Sequence, residues 1–181
     1  LRLGAAKIVL GMTTGVPHPP REELRRLVME AHDCGFQVAI HAVEAEAVEE
    51  AMEAIRMATQ GSTKGALRHR IEHCSEASPR LVQRLARERI TVVTQPGFVY
   101  HGGERYLSDV PGDRLPWLYP IGSLRAAGVG LAFGSDSPVI DMNPLVGLYA
   151  AATRRAESGH VVLPHEAVGV EEALRMYTLG A

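Results

Sequence analysis

What most constrains this chain is a hydrophobic period that switches repeatedly along its length. Short apolar or β-branched runs alternate with stripes spaced three and four residues apart, the pattern of βα units built on a parallel sheet. The first strand is expected at Ala6 to Leu10, and Pro19-Pro20 then opens a helix with the stripe Leu24, Leu27, Val28 and Ala31, stopped at Gly35. Strands follow at Phe36 to His41, Leu67 to His73, Ile90 to Gln95 and Val129 to Phe133. Helices are expected at Ala45 to Thr59, after Ser78-Pro79, at Ser123 to Ala127, from Asn143-Pro144 through Ala156, and at Glu171 to Tyr177. Gly11 to Pro20 reads as a loop, and so does Pro96 to Pro120, whose length suggests a lid or substrate wall.

Five βα units are too few to close an eight-stranded barrel, and an open sheet of them leaves apolar edges uncovered. The expected fold is therefore α/β, a partial (β/α)8 barrel. Residues 1–181 would form the C-terminal portion of one catalytic barrel domain, with the N-terminal strands and the end of the C-terminal region missing. Composition agrees with a globular chain: 46% hydrophobic and 22% charged residues leave enough apolar side chain for a sizeable core. Nineteen basic against 21 acidic residues, scattered along the chain, give no footprint for nucleic acid or an anionic membrane. No apolar run reaches the roughly 20 residues that cross a bilayer. Cys34 and Cys74 lie outside any C-x-x-C spacing and read as reduced, buried thiols, consistent with a cytoplasmic setting.

In parallel α/β folds, reacting groups collect at the carboxyl ends of the strands. The expected strands end in His41, His73 and, after a short turn, Asp136, while Lys7 lies within the first strand. Two imidazoles and a carboxylate on one rim are donors suited to zinc or a similar divalent ion with a position left for water. Each of these residues alone also has a structural explanation as a strand cap, a core imidazole or a turn residue.

Other motifs in the chain compete with this constellation. His69-Arg70-Ile71-Glu72-His73 matches H-x-x-E-H, a zinc-peptidase pattern that requires a helix carrying His69, Glu72 and His73 together. As a strand, the same segment would put His69, Ile71 and His73 on one face, and Arg70 and Glu72 on the other as an ion pair. Glycines 128, 130 and 134 flank a strand instead of joining strand to helix, and Gly134 to Pro138 lacks the second glycine of a nucleophile elbow.

Taken in order, Gly35 to Ala42, Arg68 to His73, Gln95 to Phe98 and Gly134 to Val139 resemble amidohydrolase family 3, the branch that includes N-substituted formamide deformylases. The resemblance extends through Asn143-Pro144-Leu145 and Ala150 to Arg154, nearly the whole chain. It implies a metal-dependent hydrolase of carbon–nitrogen bonds other than peptide bonds, using zinc first, as one or two ions, on a small amide or formamide. By resemblance His41 and His73 match the metal histidines after the fifth and sixth strands. Asp136 matches the aspartate that binds metal and serves as general base, and Lys7 the lysine that is carboxylated in many members. Arg70 and Glu72 would hold the tip of the third strand of this chain, while Tyr100, His101 and Arg105 are candidate substrate contacts.

Two departures stand out. Ala42-Val43-Glu44 replaces the Gly-Asp that follows the first of these histidines in many members, and the first-strand H-x-H is absent. By resemblance the chain begins at the fourth strand. The expected partners are thus a small-molecule amide, with no nucleic acid and no membrane, and a homo-oligomer is compatible. The rival reading is a noncatalytic barrel fragment.

Overall fold

The computed structural model describes residues 3–13, 15–63 and 67–180. Its centre is a five-stranded sheet, β1 (Ala6–Val9), β4 (Val38–Ala42), β5 (Arg70–His73), β6 (Thr91–Thr94) and β7 (Leu131–Phe133), in that spatial order and wholly parallel. Between β1 and β4 lie a small antiparallel hairpin, β2 (Gly11–Thr13) with β3 (Val16–His18), and helix α1 (Arg21–Asp33). Helices α2 (Ala45–Thr59), α3 (Pro79–Glu88) and α4 (Gly97–Asp109) follow β4, β5 and β6, and α5 (Ile121–Ala126) leads into β7. After β7 come α6 (Pro144–Thr153) and α7 (Val170–Thr178). Sequential strands that sit side by side with helical crossovers make this a curved run of βα units, the α/β arrangement of a partial (β/α)8 barrel.

Side-chain alternation decides which face is buried. Ile8, Val38, Ile40, Ile71 and Val92 point toward the helices and form the main core with Leu24, Val28, Val48, Met52, Leu81 and Leu85. Full burial of each such aliphatic side chain contributes roughly 1.5–3 kcal/mol. The opposite face carries Lys7, Val9, His41, Glu72 and Val93, brought into line by the register Val9↔His41↔Glu72↔Val93. Val9 is 62% exposed there, because nothing among the described residues covers the inner side of the edge strand β1.

Local chemistry sets the helix ends. Ser78 Oγ accepts the Leu81 N–H at 3.3 Å and Pro79 occupies the first turn of α3. Asn143 Oδ1 accepts the Leu145 N–H at 3.0 Å at the start of α6, and Glu172 accepts the Gly169 N–H at 3.2 Å at the start of α7. Gly35 closes α1 at a φ of 81°, a conformation that disfavours any Cβ.

Several expectations are corrected. Pro96 to Pro120 is no long loop: it contains α4 and a 3-10 turn at Leu115–Trp117. Of the glycines that obscure α4, Gly97 and Gly103 serve packing, since a Cβ would press into Ile140 at the first and into Val162 and Ala156 at the second. Gly11 to Pro20 contains the β2–β3 hairpin. The third strand begins at Arg70, so His69 precedes it and does not share a strand face with Ile71 and His73. As β5 is a strand, the one-helix-face geometry demanded by the zinc-peptidase reading of His69, Glu72 and His73 is absent. Helix α6 ends at Thr153, not Ala156, because Arg154 turns into the left-handed region at a φ of 54°. Cys34 is exposed, whereas Cys74 is buried as expected.

The α6–α7 contact yields a test of this packing. A Cβ on Gly147 would overlap the Tyr177 hydroxyl. Gly147→Ala is expected to lower stability by about 1–3 kcal/mol in urea unfolding, and adding Tyr177→Phe should recover part of the loss. An unchanged midpoint in the single variant would contradict the close approach.

Candidate active site

The parallel register of β4 and β5 sets Ala42 beside His73 and His41 beside Glu72. Strict alternation would turn His73 away from His41. Instead His73 has a φ of 75° and Cys74 a φ of 49°, so the chain twists at the end of β5. The two imidazoles meet edge to face with centroids 4.3 Å apart. Two consecutive non-glycine residues in the left-handed region cost free energy that the surrounding fold must supply, a feature concentrated at functional sites.

Both rings are held toward the neutral state. His41 is pushed below its ordinary pKa by burial first, then by the His73 and Lys7 charges, with Asp136 and Glu44 opposing. His73 is lowered chiefly by burial, against the pull of Asp136 and a hydrogen bond to Gln95. Lys7 on β1 and Asp136 beyond β7 therefore both lie within electrostatic reach of both rings. Asp136 is exposed and has a φ of 61°, a conformation that Asp tolerates better than most residues.

Gln95, buried directly after β6, was not singled out from the sequence as a site residue. Its Oε1 lies 2.9 Å from His73 Nδ1. With that oxygen as acceptor, Nδ1 carries the proton and Nε2 is left with its lone pair. Phe98 is also beside the site, its ring centroid 6.4 Å from that of His73. A strand followed by Gln-Pro-Gly-Phe was the available signal.

The remaining predicted residues fall in separate places. Arg70 Nε donates to Glu72 Oε1 at 2.6 Å, and its Nη1 donates to Gln37 Oε1 at 2.9 Å. The expected ion pair is therefore present, on the inner face, with Glu72 opposite His41 in register. Tyr100, His101 and Arg105 lie on α4, not in a loop. Tyr100 packs edge-on against His101 and Tyr149, while Arg105 sits 5.5 Å over the Tyr106 ring. From α4, it is Phe98 whose ring meets His73.

Arg154 supports the rim from behind. Fully buried, it donates Nε to the Val162 carbonyl at 3.0 Å, Nη1 to that of Tyr119 at 3.1 Å and Nη2 to that of Leu118 at 3.3 Å. Burial lowers its pKa to about 10, opposed by Glu166. The Tyr119 N–H in turn donates to the Ser75 carbonyl at 2.7 Å, two residues past His73. The guanidinium thus ties the loop before α5 to the segment after α6, and the Tyr119 amide carries that tie on to the segment leaving β5. As part of an otherwise apolar helix sequence, Arg154 showed only as a charge in an alanine-rich run.

In donor type the site fits a divalent cation: neutral imidazoles, one with its tautomer fixed to expose Nε2, and a carboxylate near both. In donor number it is partial. Among the described residues, no three His, Cys, Asp or Glu side chains are grouped closely enough to hold a metal ion. Among those residues there is also no helix long and apolar enough to cross a membrane.

Comparison with known proteins gives a consistent placement. The chain is 30% identical over 172 residues to a Bacillus subtilis (strain 168) protein named as an amidohydrolase, YtcJ, covering 93% of this chain and 32% of that one. It is 31% identical over 163 residues to the N-substituted formamide deformylase of Arthrobacter pascens, covering 88% of this chain and 29% of the relative. The chain thus spans about a third of the length of these relatives. The crystal structure of an uncharacterized metal-dependent hydrolase from Pyrococcus furiosus superposes with a TM-score of 0.82 at 26% identity, over 99% of this chain and 39% of that one. The sequence profile of the amidohydrolase family matches residues 2–181, and the chain belongs to that family.

Proposed function

We propose that the protein hydrolyses the C–N bond of a small amide or formamide, with His41 and His73 seating a divalent cation and Asp136 acting as general base. The observation that carries this reading is the edge-to-face pair of largely neutral imidazoles, 4.3 Å apart at the strand ends, with Asp136 and Lys7 in electrostatic reach of both. Zinc is the ion of choice for imidazole and carboxylate donors. When bound, it would supply Lewis acidity, polarising a carbonyl and lowering the pKa of water toward neutrality.

In this reading Asp136 takes a proton from the attacking water as its oxygen bonds to the carbonyl carbon. The same carboxyl then delivers that proton to the nitrogen as the C–N bond breaks, giving an amine and a carboxylic acid. Gln95 holds His73 with Nε2 forward, and Phe98 offers an apolar wall beside it. Lys7 is in this reading a further ligand, as the lysine that is carboxylated in many members of the family. Tyr100, His101 and Arg105 on α4 remain proposed substrate contacts. Similarity to a formamide deformylase supports the substrate class. The two-imidazole seat supports a second reading, in which this chain alone completes no metal site and does not hydrolyse.

Amine release from an N-substituted formamide, with zinc supplied, separates the two. Turnover is expected to fall by roughly 10²–10⁴-fold in Asp136→Asn with the unfolding midpoint little changed; equal turnover in that variant would refute the role of Asp136, and no turnover in the parent chain would favour the second reading. For Gln95→Leu, zinc affinity measured by chelator competition should fall by about 10–100-fold, while Gln95→Glu, which retains an acceptor, should stay near the parent. Unaltered affinity in Gln95→Leu would remove Gln95 from the site.

A further inference from the structure

At the amino ends of the same strands lies a second group of histidines that the proposed chemistry does not use. His32, near the end of α1, is 2% exposed, and His69, just before β5, is 6% exposed. The Val38 N–H, at the start of β4, donates to His69 Nδ1 at 3.0 Å. An amide N–H can only donate, so Nδ1 is bare and the proton of a neutral His69 ring sits on Nε2. That Nε2 lies 2.9 Å from His32 Nδ1 and donates to it, which leaves the His32 proton on its own Nε2. His32 Nε2 lies 2.6 Å from Ser62 Oγ and donates to the hydroxyl. One backbone amide therefore dictates every donor and acceptor in the chain Val38 to His69 to His32 to Ser62.

The position of this chain matters because Val38 and Arg70 open the two strands that carry His41 and His73 near their far ends. The His69 ring meets the Val38 N–H one residue before the β4–β5 ladder begins at Ala39↔Arg70. His32 and Ser62 extend the tie to α1 and to the segment after α2. An added proton has no neutral place to go. On His69 it must occupy Nδ1 and face the Val38 N–H, and on His32 it must occupy Nδ1 and face the His69 Nε2–H. Passing it along the chain merely moves the loss to the Val38 bond.

We propose that His69 and His32 are positioning residues for the two histidine-bearing strands, forming a latch between α1 and the feet of β4 and β5 that acid releases. The latch lies outside the metal-site donors and stands or falls independently of the hydrolase reading. The charged groups around it are Arg68 before the strand, Glu88 and Arg89 at the end of α3, which line the same cavity, and Asp33 on α1 next to His32. Glu88 is engaged by Arg84 at 2.6 Å. Burial, followed by repulsion from His32, lowers the pKa of His69 to about 4.

A histidine in the unfolded chain titrates near 6.5, so between roughly pH 6.5 and 4 the unfolded state binds a proton that folded His69 refuses. The latch contributes fully above this window, and across it the folding constant falls about tenfold for each pH unit lost. The test uses the full chain. Imidazole 15N spectra at pH 7.5 should show both His32 and His69 as neutral Nε2–H tautomers, and His69 should remain neutral down to pH 5. His69→Asn offers an acceptor oxygen in place of Nδ1 but cannot titrate. Urea unfolding of this variant across pH 7.5–4.5 should match the parent's pH dependence above about pH 6.5 and be weaker by about tenfold per unit below it, a comparison in which titrating groups not in contact with His69 cancel. An Nδ1–H tautomer on either ring, protonation of His69 above pH 6, or an equal slope in His69→Asn would overturn the proposal. If His69→Asn fails to fold, the parent's tautomers and titration still decide it.

Discussion

The arrangement rests on the parallel pairing of β4 with β5. Registered as Ala39↔Arg70 through Ala42↔His73, the two strands end together, and the left-handed turn at His73 and Cys74 brings its ring onto that of His41. A slip of one residue would exchange the inner and helix-facing sides of a strand and send Ile40 or Ile71 out of the core. The apolar side chains that bury against α2 and α3 are therefore also what aligns the imidazoles. Core and site share this alternation up to His73: one parity faces the helices, the other lines the barrel interior with His41, Glu72 and Lys7, and His73 joins them through its left-handed turn.

Groups at the two ends of the sheet differ in kind. At the carboxyl ends, His73 donates its Nδ1–H to Gln95 and keeps Nε2 available, and Arg154 ties the loop before α5 to the segment after α6 through three carbonyls. At the amino ends, His69 accepts from a backbone amide and its other nitrogen is occupied by His32. Two histidines four residues apart in one motif thus have opposite tautomers and opposite duties, because one faces an amide donor and the other an amide acceptor. This contrast explains why H-x-x-E-H here is not a single metal-binding unit: its two imidazoles belong to opposite ends of one short strand.

Much of this was legible in the sequence. The β-branched runs around Val38, Ile71 and Val92 give the strands, Ser78-Pro79 and Asn143-Pro144 mark helix starts by their capping chemistry, and the strand ends point to His41, His73 and Asp136. What escaped depends on contacts distant along the chain. Helix α4 contains Gly97, Gly102 and Gly103, poor helix formers whose intrinsic preference is overridden by packing against α6 and the segment after it. The positive φ of His73, the partner of Gln95 and the buried hydrogen bonds of Arg154 have no local signature. The His32–His69 pair joins residues 37 positions apart and shows no periodicity of its own.

The central claim is that His41 and His73 together ligate a divalent ion. X-ray absorption at the zinc edge of the zinc-loaded protein tests it most directly, because imidazole ligands leave a characteristic multiple-scattering pattern beyond a zinc–nitrogen shell near 2.0–2.1 Å. The account predicts two imidazoles in the parent protein, one in either His41→Ala or His73→Ala, and none in the double variant. A spectrum without imidazole scattering in the parent, or one unchanged by both substitutions, would contradict it.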